Sequence, residues 1–261
     1  MSIKKVLCFS VLVGALGVSS SLVSESFADP DLKRGETKKE KEDLIRLDDH
    51  PLIQHHLSII RNKKTKPADF KHSVREIARQ LVYAGTKNLL TETIDIETPV
   101  TSTKCQQLNK NKGIFVVNIL RGGAGIADEA ENILPNAEVH HLGMKRDETT
   151  LKPIWYYNRL PKTFEDRADI SDIRVYVCDP MLATGGSICE AVQVYIDRGI
   201  KEENITLLCM ISAPEGIKNT FQKFPKVKIV TACLDEKLND KGYIVPGLGD
   251  IGDRLFNFAP S

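Results

Sequence analysis

The sequence predicts an α/β protein with a mostly parallel central sheet flanked by helices, and three observations predict it. Short, predominantly apolar runs, several of them β-branched, recur at Ile114–Leu120, 173–178, 205–211 and 227–232. Amphipathic stretches at 187–197 and 214–224 separate the later runs. Gly or Pro bounds most of these segments. Strands covered on both faces lose the alternation of a half-exposed sheet, and helices between them supply the cover.

The elements follow in chain order. Lys4 and Lys5 precede an apolar run over 6–18 that is shorter than a membrane span, and Ser26-Phe27-Ala28 offers a small-x-small cleavage site. Residues 1–28 therefore read as a signal or targeting peptide. Residues 29–49 are a mixed charge run with little apolar periodicity and read as a solvated linker. The remaining body, 50–261, has the size of one domain. It begins near His50-Pro51, and from Pro67 onward Phe70, Val74, Ile77, Ala78, Leu81, Val82 and Leu89 recur at helical spacing. Residues 147–161 carry Trp155, Tyr156 and Tyr157 around Pro153 and read as a projecting β-arm whose aromatics need a core or a subunit interface.

Composition narrows the function classes. Of 261 residues, 41% are hydrophobic and 27% charged, which excludes disordered and multi-span membrane classes. Lys+Arg 36 against Asp+Glu 35 leaves a net charge of +1, so nothing points to a nucleic-acid partner. Outside the leader the cysteines are Cys105, Cys178, Cys189, Cys209 and Cys233, an odd number without Cys-x-x-Cys spacing. Cys178, Cys209 and Cys233 sit beside or inside apolar runs, and the cysteines read as buried free thiols, at odds with an oxidising compartment. The histidines, including His55-His56 and His140-His141, lack metal-ligand spacing and read as ordinary surface or core residues.

Three segments carry chemistry. At Asp179-Pro180-Met181-Leu182-Ala183-Thr184-Gly185-Gly186-Ser187 an apolar strand ends in a carboxylate and a Thr-Gly-Gly-Ser turn opens a helix. In an open α/β sheet that segment lies beyond the strand's carboxyl end, where ligands bind. The turn's free N–H groups, with the Thr184 and Ser187 hydroxyls, form a nest for phosphate, and Asp179 suits sugar hydroxyls on the same ligand. The segment alone suggests a sugar phosphate; a capped helix after a tight Gly turn uses the same residues. The Gly/Pro-rigid stretch 242–256 can bring backbone close to a flat ligand, or form a surface turn. Arg121 and Arg146 follow strand ends, where a bidentate guanidinium suits a diphosphate.

Taken together, these stretches resemble the uracil phosphoribosyltransferases among the type I phosphoribosyltransferases. The Asp-Pro-Met-Leu-Ala-Thr-Gly-Gly-Ser segment is similar to their loop for 5-phosphoribosyl diphosphate (PRPP), with Pro180 where other members of the class carry a second acid. Gly242-Tyr-Ile-Val-Pro-Gly-Leu-Gly-Asp250-Ile-Gly-Asp253-Arg254 is similar to their uracil loop, and His-Pro-Leu-Ile-Gln-His at 50–55 and Ala-Pro-Glu-Gly-Ile at 213–217 agree. The resemblance covers about residues 50–258. It implies the type I fold with a projecting β-arm and a C-terminal base-binding loop. It also implies formation of UMP and diphosphate from uracil and PRPP, a pyrimidine-salvage glycosyl transfer. Its implied PRPP contacts are Arg121, Arg146, the segment from Asp179 to Ser187, and Asp250; its uracil contacts are Ile244, Gly249, Asp250 and Ile251. Arg121 and Asp179 act by electrostatics and positioning, and no general base is assigned. Magnesium enters on the diphosphate with no direct protein ligand, GTP activates some relatives, and a homodimer or higher oligomer is expected. Dependence on PRPP implies the cytoplasm, whereas the leader implies export or an organelle. Departures from the usual family pattern are Gly122-Gly123-Ala124, Lys145, Ile251, Lys71 and Ala84. A catalytically inactive sensor of PRPP or nucleotide, or an enzyme for another base, would share the fold; intact PRPP and uracil loops favour the enzyme.

Overall fold

The computed structural model describes residues 43–146 and 153–256, with Arg146 in backbone only. The stretch read as a leader (1–28), the linker up to residue 42 and residues 147–152 of the expected arm lie outside the described residues. Chain order runs β1 (Leu44–Arg46), α1 (Pro51–Arg61), α2 (Pro67–Gly85), β2 (Thr91–Glu97), β3 (Ser102–Leu108), β4 (Ile114–Leu120), α3 (Ala124–Ile133), β5 (Glu138–Arg146) and β6 (Pro153–Asn158). It continues through β7 (Arg174–Cys178), β8 (Met181–Leu182), α4 (Gly186–Ile196), β9 (Ile205–Ser212), α5 (Pro214–Lys223), β10 (Lys228–Leu234), β11 (Lys237–Leu238), β12 (Ile244–Val245) and α6 (Ile251–Phe256).

The central sheet has eight strands in the order β1-β10-β9-β7-β4-β5-β6, with β8 beside β9. Every pairing is parallel except the antiparallel β5–β6 edge. Side chains alternate between two cores, as the period of two requires. Val116, Tyr176, Leu208 and Met210 meet α1, α2 and α3 on one face, while Phe115, Val117, Val177, Leu207 and Cys209 meet α4 and α5 on the other. Burial on both sides explains why these strands read as continuous apolar runs.

Helix starts follow local chemistry. The His50 ring accepts the Leu52 N–H at 3.2 Å and Pro51 opens α1. Pro67 with Asp69 opens α2, and Pro214 with Glu215 opens α5.

Two boundaries depart from expectation. Leu44, Ile45 and Arg46, inside the stretch read as linker, belong to the central sheet, because they pair in parallel with Ile229, Val230 and Thr231. With Ile45 packed on the first core and Leu44 on the second, three residues are too few to leave a periodic signal. The periodicity that runs on to Leu89 belongs to a helix ending at Gly85, with Leu89 packing on the first core from a loop.

The 147–161 stretch contributes β6, an edge strand whose Trp155 packs on the second core, while Tyr156 and Tyr157 remain 55% and 38% exposed. A further arm, the antiparallel β2–β3 hairpin, forms its own two-stranded sheet. Cys178, Cys189 and Cys209 are buried, and all five described cysteines are free. Among the described residues no helix is long and apolar enough to cross a membrane.

Candidate active site

The carboxyl ends of β4 and β7 deliver the first two sets of site residues. Beyond β4 a cis peptide joins Leu120 to Arg121. The chain then turns through Gly122 and Gly123 into α3. A Cβ on Gly123 would stand 2.4 Å from the Cys178 carbonyl and 2.6 Å from the Ile119 carbonyl, so the close approach itself demands glycine. Arg121 Nη2 donates to Asp253 Oδ1 at 2.7 Å, which ties the end of β4 to α6.

Beyond β7, Asp179 Oδ1 accepts the Met181 N–H at 3.3 Å. Burial pushes its carboxyl up to about 7, against the opposing pull of that hydrogen bond. Pro180 keeps its carbonyl in the sheet, accepting the N–H groups of Met210 and Ile211 at 3.0 Å each. The turn at Ala183 and Thr184 is braced from outside by Asn219 Nδ2, which donates to the Thr184 carbonyl at 2.9 Å. Gly185 takes the left-handed conformation (φ 81°) and α4 starts without a side-chain cap. Helix N-terminal donors therefore open onto the cleft beside the Thr184 and Ser187 hydroxyls, a geometry suited to phosphate.

The third wall is the loop from β12 to α6. A cis peptide precedes Pro246, and Gly247 and Gly249 both have positive φ (57° and 81°). Asp250 Oδ1 accepts the Asp253 N–H at 2.9 Å, so Asp250 also caps α6.

Arg121, Asp179 through Ser187, Ile244, Gly249, Asp250 and Ile251 all line one cleft of about 560 Å³. That volume falls in the usual range of small-ligand sites. Arg146 ends β5 opposite Pro153, and its side chain lies outside the described residues. Its neighbour Lys145 lines the cleft with Gly122, Met144, Tyr156 and Tyr243. Sequence reasoning had not assigned these four to the site, nor Asp253 as the partner of Arg121. Only the third dimension brings β5, β6 and α6 to the same opening.

A family model described as uracil phosphoribosyltransferase matches residues 47–258. A uracil phosphoribosyltransferase of Clostridium botulinum is 48% identical over 207 residues, covering 79% of this chain and 95% of that protein. One from Dictyoglomus turgidum is also 48% identical, covering 80% of this chain and 96% of that protein. The solved structure of a protein from Aquifex aeolicus matches with a TM-score of 0.73 and 37% identity, covering 84% of this chain and 100% of that one.

Proposed function

This chain belongs to the uracil phosphoribosyltransferase family, and we propose that it makes UMP and diphosphate from uracil and PRPP in pyrimidine salvage. The observation that carries the reading is the meeting, on one cleft, of a phosphate nest at 184–187, a strand-end guanidinium at Arg121 and a backbone-lined loop at 244–251. Each suits one part of the reaction.

The step is a displacement at the anomeric carbon. A bond forms from a uracil ring nitrogen to that carbon, the bond to the diphosphate oxygen breaks with its electron pair, and the ring N–H proton is released to water or diphosphate. A transition state of oxocarbenium character needs positioning and charge compensation more than covalent help. The nest and the Thr184 and Ser187 hydroxyls hold the 5-phosphate. Asp179, once ionised, accepts hydrogen bonds from the ribose hydroxyls. Arg121 neutralises the departing diphosphate, with Lys145 adding a second cation and Arg146 completing the set in this reading. Uracil carries alternating C=O and N–H groups on its edge, which the main chain near Ile244 and Gly249–Ile251 can match without a charged side chain.

Among the described residues no three His, Cys, Asp or Glu side chains converge to hold a cation, and the cleft carboxylates Asp179 and Asp250 come from separate segments. That donor set fits magnesium carried on the diphosphate, where the ion would supply further charge neutralisation. We also propose a homodimer or larger assembly, supported by the exposed Tyr156 and Tyr157 on an edge strand. PRPP is an intracellular metabolite, which supports action in the cytoplasm.

The test is one PRPP-dependent assay with labelled uracil, hypoxanthine and orotate as competing acceptors. UMP should be the main product. Turnover of another base in preference overturns the base assignment, and PRPP binding by calorimetry without turnover of any base overturns the enzyme.

A further inference from the structure

We propose that Arg61 and Asp235, neither of which lines the cleft, are positioning residues that hold the base-reading loop and so set affinity for the base rather than for PRPP. The inference rests on the functional reading above, in which residues 244–251 read uracil.

The geometry converges on Gly247. Asp235 stands just beyond β10 with its side chain only 3% exposed. Its Oδ2 accepts the Gly247 N–H at 2.8 Å and Arg61 Nη1 at 2.9 Å, while Oδ1 accepts Arg61 Nη2 at 2.5 Å. The same Nη1 donates to the Gly247 carbonyl at 2.9 Å. Both main-chain polar groups of Gly247 are thus fixed by one buried ion pair. A buried carboxylate without its guanidinium is costly, so each partner holds the other in place. Gly247 is the tight point of the loop, with φ 57° and a notional Cβ only 2.2 Å from the Ile244 carbonyl. Its orientation therefore governs how Ile244 and Gly249 face the cleft.

A second tie runs from the next residue. Arg254 Nη1 donates to the Leu248 carbonyl at 2.9 Å and also to the Ile60 carbonyl, and Nη2 donates to the Asn62 carbonyl at 2.9 Å. The Arg254 guanidinium lies 4.2 Å from the Phe70 ring centroid. The loop carbonyls at 247 and 248 thus hang from the C-terminal end of α1 by two arginines. The phosphate nest has other supports, namely Asn219 on the Thr184 carbonyl and the Pro180 carbonyl in the sheet. Separate supports for the two halves of one cleft predict separable effects on the two substrates.

The experiment compares wild type with Arg61→Lys, Arg61→Ala and Asp235→Asn. It measures steady-state constants for both substrates and amide hydrogen exchange by mass spectrometry. Arg61→Ala should raise KM for uracil on the order of tenfold or more, the scale of a lost charged hydrogen bond, while KM for PRPP stays within about threefold. Arg61→Lys should recover part of the loss, because one ammonium can meet the carboxylate but cannot also span to the Gly247 carbonyl. Peptides covering 244–250 should exchange faster in the variants, with peptides from 205–212 unchanged. Equal rises in both KM values, or loss of protection throughout the sheet, overturn the proposal in favour of a general structural role. Wild-type protein that forms no UMP overturns the functional reading instead, and the exchange pattern then still judges whether the arginine and carboxylate hold this loop.

Discussion

Replacing Asp179 by Asn should flatten a pH dependence of stability that this one carboxyl imposes. Burial raises its pKa from 3.8 to about 7, a difference of roughly 3 units, and each unit corresponds to about 1.36 kcal/mol. In the interval between those values the folded protein keeps a proton that the unfolded chain has released. Stability from this group is therefore full below the unfolded pKa, falls as pH rises through the interval, and levels off above the folded value. The total is about 4 kcal/mol as a ceiling, because the side chain is partly open to the cleft, where water lowers the desolvation cost. From pH 5 to pH 8 the share to be lost is about 2–3 kcal/mol. Urea denaturation of wild type and Asp179→Asn at each pH isolates it, since every other group cancels in the difference. The wild type should lose stability relative to the variant as pH rises. A difference that stays constant within about 0.5 kcal/mol refutes the shifted ionisation. The same titration has a kinetic face: kcat/KM for PRPP should rise through pH about 7 as the carboxylate forms, an inflection absent from the variant.

Three further outcomes follow from the geometry. Arg121→Ala should lower kcat/KM by about 100-fold or more while leaving the melting temperature almost unchanged, because its pair with Asp253 is 48% and 33% exposed; near-normal UMP formation in this variant removes the assigned role. Gly123→Ala forces a methyl against two carbonyls at 2.4 and 2.6 Å, so thermal unfolding should register a loss of about 1–3 kcal/mol and activity should fall with it, and a variant matching wild type in both contradicts the packing. Among the described cysteines, a chromogenic disulfide reagent with peptide mapping should label Cys105 first in the native protein and Cys233 more slowly, since burial also pushes the Cys233 thiol up, whereas Cys178, Cys189 and Cys209 are buried and should react only on unfolding; native labelling of Cys209 would contradict that burial.

What could be read from the chain without coordinates depended on how each element is covered. The strand Ile114–Leu120 was legible to the residue because both its faces are buried and Asn118 is the one polar residue in the run. The same cause made 205–211 and 227–232 legible within two residues of β9 and β10. The β2–β3 hairpin was not, because Thr91–Glu97 and Ser102–Leu108 carry few apolar residues and expose much of both faces. One side of β2, at Glu92, Ile94 and Ile96, is half-buried, but with two apolar residues on it and little cover on β3 the alternation is too weak to read as a strand. β1 was missed because three residues, two of them packed on opposite cores, are too short to show a period.

The site divides along a different line. The proposed phosphate nest is written contiguously, since a strand end, a glycine turn and a helix start must follow one another in sequence to make one. A reader of the chain can therefore find Asp179 to Ser187 as one segment. The loop proposed to read the base is held from outside, and the residues that hold it share no local signature. Arg61 and Asp235 are 174 positions apart, and Arg61 reads as an ordinary basic residue in the last turn of α1. Asp250 shows the limit from the other side, because a capping carboxylate for α6 and a cleft-lining carboxylate carry the same letter in the sequence. Net charge is equally silent, since Arg121 faces Asp253 and adds nothing to the sum. In this reading local patterns report the segment that meets the phosphate, while the proposed supports of the base loop lie in long-range pairs. That division is what the separate KM responses of the Arg61 variants would measure.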